Sequence, residues 1–214
     1  MALQQTAAGQ FPSTRQTSGN PNVPGGTFGE QIVTEINPQY YQLAKLGKVF
    51  SLSATGVNPS AFTGGAAGTP LIGLWNPQGT ATDLVLLYAR IGIRTTGSAA
   101  GTVDFNHWLV NQGGTAITGT QTQARNVYSG AQSGSIAYGM VNVANTAALS
   151  SNLLMPSVSL GAVSATAALT VGALVDEIKG GIIVGPGMYY AYGAAAALTG
   201  ASLDVSLVWA EIPA

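Results

Sequence analysis

The sequence predicts an all-β protein: a jelly-roll-like β-sandwich with an extended N-terminal arm and one short helix. Three observations lead to this fold class. From about residue 48 onward, short apolar runs are separated by Gly, Pro and Asn, as expected for strands and turns. Several runs alternate apolar and polar side chains with a period of two, and helical periodicity is almost absent. Many short strands of this kind favour a sandwich, and eight or more favour a jelly roll.

The first 36 residues predict the arm. They are rich in Gln, Thr, Ser, Gly and Pro, and they hold too few apolar side chains to form a core of their own. We therefore expect the segment 1–48 to bind neighbouring subunits rather than to fold alone. The candidate partner-binding residues are its large apolar and aromatic side chains and one arginine: Phe11, Arg15, Phe28, Ile32, Ile36, Tyr40 and Tyr41.

The short helix is predicted at about residues 38–46, inside the arm. Asn37 can cap its first turn, Pro38 suits the first helical position, and Gly47 suits the position just after the last turn. A helix of this length is not stable alone in water, so we expect it to pack on the β body or on a neighbour.

Residues 49–214 form the predicted sandwich domain, and four of its apolar runs show the period of two most clearly. Each should turn one row of side chains to a common face. The rows are Val85, Leu87, Ala89, Ile91 and Ile93; Val103, Phe105, His107 and Leu109; Met188, Tyr190 and Tyr192; and Leu203, Val205, Leu207 and Trp209.

Charged residues are scarce: 7% of the chain, against the ~25% of an ordinary soluble domain. The net charge of −1 argues against nucleic acid or an anionic membrane as the main partner, because both require a basic surface. The longest stretch of low polarity, 180–203, contains seven Gly and Pro residues and makes a poor membrane-spanning helix. A neutral surface rich in Ala, Gly, Thr and Val suits contact with further copies, and we expect a closed oligomer, a trimer.

The sequence predicts no enzyme, no catalytic residue, no metal site and no cofactor. Cysteine is absent and His107 is the single histidine, so neither a thiolate site nor a two-histidine site can form. Gly47-Lys48 is followed by Val49, which breaks the phosphate-binding loop pattern. Asp176 and Glu177 are adjacent, so we expect them on opposite faces of a solvated strand end. Catalysis would require His107 within reach of a serine and an acid; the alternative is a histidine packed beside Phe105.

Aromatic and arginine side chains leave one alternative open, a carbohydrate- or receptor-binding module. Tyr128 and Tyr138 are among the aromatic residues that could stack on a sugar, although packing in a core or an interface is the usual role of such residues. This alternative depends on exposed rings at Trp75 and Trp108. Arg90 and Arg94 share a strand face with Tyr88 and are expected in interface ion pairs.

The end of the chain resembles small structural proteins of tailed bacteriophage virions, of the decoration, cement or head-fibre type. The resemblance rests on Gly185-Pro186-Gly187-Met188-Tyr189-Tyr190, on the closing run from Leu203 to Pro213, and on a Gly/Pro-rich arm joined to a charge-poor β body. It implies an arm that docks on the major capsid protein or another virion protein and a β domain that trimerises or projects. Residues 1–10 show no basic residue and no apolar run of a secretory signal, so we expect synthesis in the host cytoplasm before assembly into the virion. Phage fibre and tail modules that bind receptors have similar bodies, which is the form the carbohydrate-binding alternative takes.

Overall fold

The computed structural model describes residues 40–62, 69–95, 101–111, 120–132, 134–142, 153–163, 174–195, 197 and 200–214; of 101–103 and 153–163 it describes the backbone only. The chain divides into two compact units, Met1–Tyr41 and Gln42–Ala214. Only the last two residues of the first unit are among those described. The second unit contains the twelve described strands: β1 (Val49–Val57), β2 (Ile72–Trp75), β3 (Thr82–Thr95), β4 (Gly101–Asn111), β5 (Gln121–Thr122), β6 (Arg125–Asn126), β7 (Tyr138–Val141), β8 (Leu153–Val163), β9 (Leu174–Glu177), β10 (Ile183–Val184), β11 (Met188–Ala194) and β12 (Ser202–Pro213).

The helix α1 spans Tyr41–Lys45. Tyr40 has a φ of 68°, which is a left-handed conformation, so the helix begins only after it. The predicted stop is confirmed: Gly47 has a φ of 68°, its amide donates to the carbonyl of Ala44, and the next amide donates to the carbonyl of Leu43. The proposed cap and first helical position, residues 37 and 38, lie outside the described residues. No described helix is long and apolar enough to span a membrane.

The strands form two antiparallel sheets, which confirms the predicted all-β sandwich. In the first sheet the order is β10-β3-β12-β1-β6, and β9 also pairs with β3. In the second sheet the order is β5-β7-β2-β11-β4-β8. Both sheets thus pair strands from the beginning of the domain with strands from its end.

The strand order is that of a jelly roll. The sets β1-β12-β3-β9/β10 and β2-β11-β4-β8 interleave early and late strands, because the chain crosses between the sheets at most connections. With β9 and β10 sharing one position beside β3, this arrangement has the eight strand positions of the double Greek key found in jelly-roll domains. Strands β5, β6 and β7 form an excursion between β4 and β8, and they extend one edge of each sheet.

The main core lies between the sheets, and three of the four predicted rows face it. On β12 the side chains of Leu203, Val205, Leu207 and Trp209 are all buried in this core. Phe105 of β4 and Tyr190 and Tyr192 of β11 belong to the same core. Alternation identifies these rows correctly because each strand is regular over the residues concerned.

The row predicted on β3 is wrong in its first half. Leu84 and Leu86 face the core and are fully buried, whereas Val85 is partly exposed. The register explains the change of face: Tyr88 pairs with Val208, but Leu86 pairs with the next residue of β12. Leu87 is therefore an extra residue on β3, a β-bulge, and a bulge moves all preceding side chains to the opposite face.

Candidate functional site

The outer faces of the two sheets differ in character. The first sheet presents polar and charged side chains to solvent, among them Ser53, Arg90 and Arg94. The outer face of the second sheet carries a second buried cluster instead. We call it the outer cluster; its members are Phe62, Trp75, Trp108, Val110, Met140, Tyr189 and Ala191.

The outer cluster is held by strand register and by one loop. Tyr189 pairs with Trp75 on one side and with Val110 on the other, so these side chains share a face. Phe62 packs edge-to-face on Trp108, with ring centroids 5.6 Å apart, and its amide donates to the carbonyl of Ala194. These contacts fix Phe62 beside the end of strand β11.

The two tryptophans therefore do not offer the surface that the carbohydrate-binding alternative needs. Trp75 is 8% exposed and Trp108 is 4% exposed. Neither indole Nε1 finds a hydrogen-bond partner in the described part of the chain. Both rings contribute to packing rather than to a stacking platform at the surface.

A buried hydrogen-bonded relay joins the sheets at the single histidine. His107 of β4 is fully buried; its Nε2 lies 2.8 Å from Oδ2 of Asp176 on β9, and its Nδ1 lies 2.7 Å from the hydroxyl of Tyr190 on β11. A carboxylate only accepts, so the neutral ring donates from Nε2 and accepts the Tyr190 proton at Nδ1. The ring of Tyr192 packs against the imidazole, with centroids 4.8 Å apart.

Burial governs the electrostatics of this relay. Desolvation lowers the pKa of His107, while the hydrogen bond and charge of Asp176 oppose that change. Burial also raises the pKa of Tyr190 well above its ordinary value, with smaller contributions from Tyr192 and Asp176. The relay therefore holds a neutral imidazole and a neutral phenol near neutral pH.

The hydrogen bond from His107 to Asp176 resembles the acid–histidine pair of a catalytic triad, but a substrate could not reach the imidazole, because His107 is fully buried. Where a serine would be needed, the partner is the phenol of Tyr190, which is fully buried. Its raised pKa makes it a poor nucleophile. This chemistry suits a link between sheets, since Asp176 comes from the first sheet and the other two groups from the second.

The structure corrects the expectation for Asp176. This residue and Glu177 do lie on opposite faces, as alternation predicts, but only Glu177 belongs to a solvated strand end, where it pairs with Lys179 at 2.6 Å. The side chain of Asp176 is 19% exposed and reaches His107 instead. Asp176 and His107 are 69 positions apart in the sequence, so no local pattern could indicate their contact.

The arginines on the outer face of β3 have partners within the chain. Arg94 lies 3.6 Å from Asp204, in a pair that is half exposed. The guanidinium of Arg90 lies over the ring of Tyr88, 4.7 Å from its centroid. Exposed pairs of this kind stabilise a fold by ~0–1 kcal/mol.

Two of the seven predicted partner-binding residues, Tyr40 and Tyr41, are among the described residues. Phe11, Arg15, Phe28, Ile32 and Ile36 lie outside the described residues. Tyr40 is half-buried, and Tyr41, the first residue of α1, is 40% exposed. Their role in binding a partner stays a prediction.

One buried carboxylate organises a surface loop. Glu211 of β12 is 5% exposed, and its Oε1 accepts hydrogen bonds from the hydroxyl of Ser135 at 2.7 Å and from the amide of Ile136 at 3.0 Å. The Ser135 hydroxyl in turn accepts from the amide of Ala137. Residues 134–137 are thus fixed to the sandwich just before β7. The described residues contain no group of three His, Cys, Asp or Glu side chains that could hold a metal ion.

Comparison with known proteins gives no relative: no family model, curated protein or solved structure matches this chain. Its function therefore has to be argued from its own residues and geometry.

Proposed function

We propose that this protein is a non-enzymatic structural component of a virion, of the decoration or cement type. In this role the N-terminal arm docks on a capsid or virion lattice, and the sandwich domain associates with other copies, as a trimer. The observation that carries the proposal is a jelly-roll strand order in a chain with only 7% charged residues. Jelly rolls serve in viral capsids and in lectins, so the fold alone does not decide between these roles.

The charge content favours an assembly role. A soluble domain normally keeps a quarter of its residues charged, which prevents association. This chain has seven basic and eight acidic residues in 214. Within the described residues several of them pair inside the chain: Arg94 with Asp204, Lys179 with Glu177, and Arg90 with the ring of Tyr88. Such a surface suits a protein that is covered by neighbours for most of its existence.

The exposed apolar side chains favour contacts between copies at the edges of the first sheet. Val127 and Tyr128, which follow the edge strand β6, are 48% and 61% exposed. At the opposite edge Val175 of β9 and Ile183 of β10 are 45% and 50% exposed. An edge that meets the opposite edge of the next copy makes a head-to-tail contact, which closes into a ring when the rotation permits.

The arm supplies the attachment in this proposal. Ordering a flexible segment costs ~1–2 kcal/mol per residue in backbone entropy, so the arm needs apolar anchors and backbone pairing on its partner. Phe11, Phe28, Ile32 and Ile36 are the anchors expected to contribute most.

The test is particle incorporation of the full-length chain. A variant with serine at these four anchor positions is compared with the natural chain and with a control that has serine in place of four arm threonines: Thr6, Thr14, Thr17 and Thr27. Each is expressed in cells that assemble the particles, and the particles are separated on a density gradient. We expect the natural chain and the control to sediment with the particles and the anchor variant to remain in the soluble fraction, with an unchanged circular dichroism spectrum. The proposal is contradicted if the natural chain remains in the soluble fraction, or if the anchor variant sediments with the particles as the natural chain does.

A further inference from the structure

A groove opens at the edge of the second sheet, where β5 meets the loop before β7. It has a volume of about 270 Å³. Small residues contribute to its lining, among them Ala124, Ala137 and Gly139. Position 139 has no room for a side chain, because a Cβ there would lie 2.6 Å from Cδ2 of Leu52 and 2.8 Å from the carbonyl oxygen of Thr122. Leu52 and Thr122 thus fill the space beside Gly139, and the close contact fixes this part of the groove wall against β1 and β5.

One wall of the groove is fixed before any ligand binds. Ser135 lines it, and its hydroxyl donates to the buried carboxylate of Glu211. A buried carboxylate is costly unless it is hydrogen-bonded, so the same contacts that satisfy Glu211 also hold the wall in one conformation. A preorganised wall lowers the entropy lost on binding.

The groove offers uncharged polar groups only. Three glutamines, Gln121, Gln123 and Gln132, line it together with Thr122 and Ser135, and none of the described residues that line it is charged. Amides and hydroxyls both donate and accept hydrogen bonds, which is the pattern that sugar hydroxyl groups require. An anionic or cationic ligand would find no opposite charge here.

An aromatic ring completes the groove. Tyr138 lines it and is 37% exposed, although it stacks on Trp75 with ring centroids 5.3 Å apart and an interplanar angle of 22°. The buried indole thus supports the ring from one side and leaves part of the ring open. The negative face of an aromatic ring attracts the weakly positive C–H groups on the apolar face of a sugar.

We propose that this groove binds a short neutral carbohydrate, with Tyr138 as the stacking platform and the glutamine amides as hydrogen-bonding groups. The site does not depend on the virion role proposed above, and its exposed ring is that of Tyr138, one of the candidate stacking residues, rather than that of Trp75 or Trp108.

The test uses the full-length protein and saturation-transfer NMR with four neutral disaccharides: maltose, cellobiose, lactose and N,N′-diacetylchitobiose. Galacturonic acid serves as the charged comparison. Tyr138→Ala removes the platform and Tyr138→Phe retains it, while Gln123→Leu removes one exposed amide at nearly constant size. Tyr128→Ala is the matched control, because Tyr128 is 61% exposed and is not part of the groove.

We expect at least one neutral disaccharide to bind with a dissociation constant of roughly 1 mM or lower. Tyr138→Ala and Gln123→Leu should each weaken that binding by about tenfold or more, and Tyr138→Phe and Tyr128→Ala should leave it within about twofold. Gln123→Leu keeps the test informative if Tyr138→Ala fails to fold. The proposal is overturned if no disaccharide in the panel gives saturation transfer, if Gln123→Leu binds as well as the natural chain, or if galacturonic acid binds as tightly as the neutral sugars.

Discussion

Replacing Tyr190 by phenylalanine removes one hydroxyl group from the relay and keeps the ring that packs in the core. That hydroxyl lies 2.7 Å from Nδ1 of His107, and both residues are fully buried. The change leaves a buried nitrogen without its donor, which costs about 1–3 kcal/mol in the free energy of unfolding. At about 2–4 °C per kcal/mol for a domain of this size, the melting temperature should fall by about 2–12 °C.

Tyr189→Phe is the matched control for this change. Tyr189 is the preceding residue on β11 and is also fully buried, but its hydroxyl finds no hydrogen-bond partner among the residues that the structure describes. Removing an unsatisfied buried hydroxyl should leave the free energy of unfolding unchanged or raise it. The same chemical change is thus expected to have different effects at two adjacent positions.

The assay is urea unfolding at neutral pH, followed by tryptophan fluorescence, with the slope of the transition fitted for each variant. A lower midpoint for Tyr190→Phe at an unchanged slope, together with a normal midpoint for Tyr189→Phe, supports the relay as a stabilising link. Equal losses in both variants would refute the reasoning, since the effect would then come from packing. No loss at Tyr190 would show that the hydrogen bond contributes nothing to stability.

Three further predictions concern the relay, a strand contact and the loop. Burial lowers the pKa of His107, so the unfolded chain binds the proton more tightly than the folded chain does. The free energy of unfolding should therefore fall as the pH drops below about 6.5, by at most about 1.4 kcal/mol per pH unit. The prediction is wrong if the stability of His107→Gln depends on pH in the same way. Gly139→Ala should lower the free energy of unfolding by about 1–3 kcal/mol, because the new Cβ would clash with β1 and β5. Gly92→Ala is the control: its Cβ would meet no atom closer than 3.9 Å, so the same urea titration should show no loss of stability. Glu211→Leu leaves the amide of Ile136 without its acceptor, so hydrogen exchange at that amide should become faster. Unchanged protection there would show that Glu211 does not hold residues 134–137 in place.

The sequence was most informative where strands are regular and face one core. On β12 and β4 the alternation identified the buried row because each strand continues without interruption past those residues. It failed on β3, where the bulge at Leu87 is defined by pairing with β12 and leaves no local signal. The contact between His107 and Asp176 was equally inaccessible, because only the crossing of the chain between sheets brings these residues together.

The outer cluster did have a signal in the sequence. Trp108 and Val110 are apolar although they lie opposite the row that contains Phe105, and the run from Met188 to Ala191 is apolar at every position. Strands that are covered on both faces have such continuous runs, whereas half-exposed strands alternate. A pattern that assigns one buried face to each strand places Trp75 and Trp108 at the surface, whereas the outer cluster buries both rings.

The contrast between the two outer faces has a consequence for how this chain can diverge. In the middle of the second sheet both faces are packed, so almost any substitution on β2 or β11 enlarges or empties a close-packed space. The outer face of the first sheet has no such restriction, and residues such as Ser53 and Arg90 can be exchanged at little expense in stability. Sequence drift among descendants of this protein should therefore accumulate on one side of the sandwich, and that side is where labels or new epitopes can be introduced with the least disturbance.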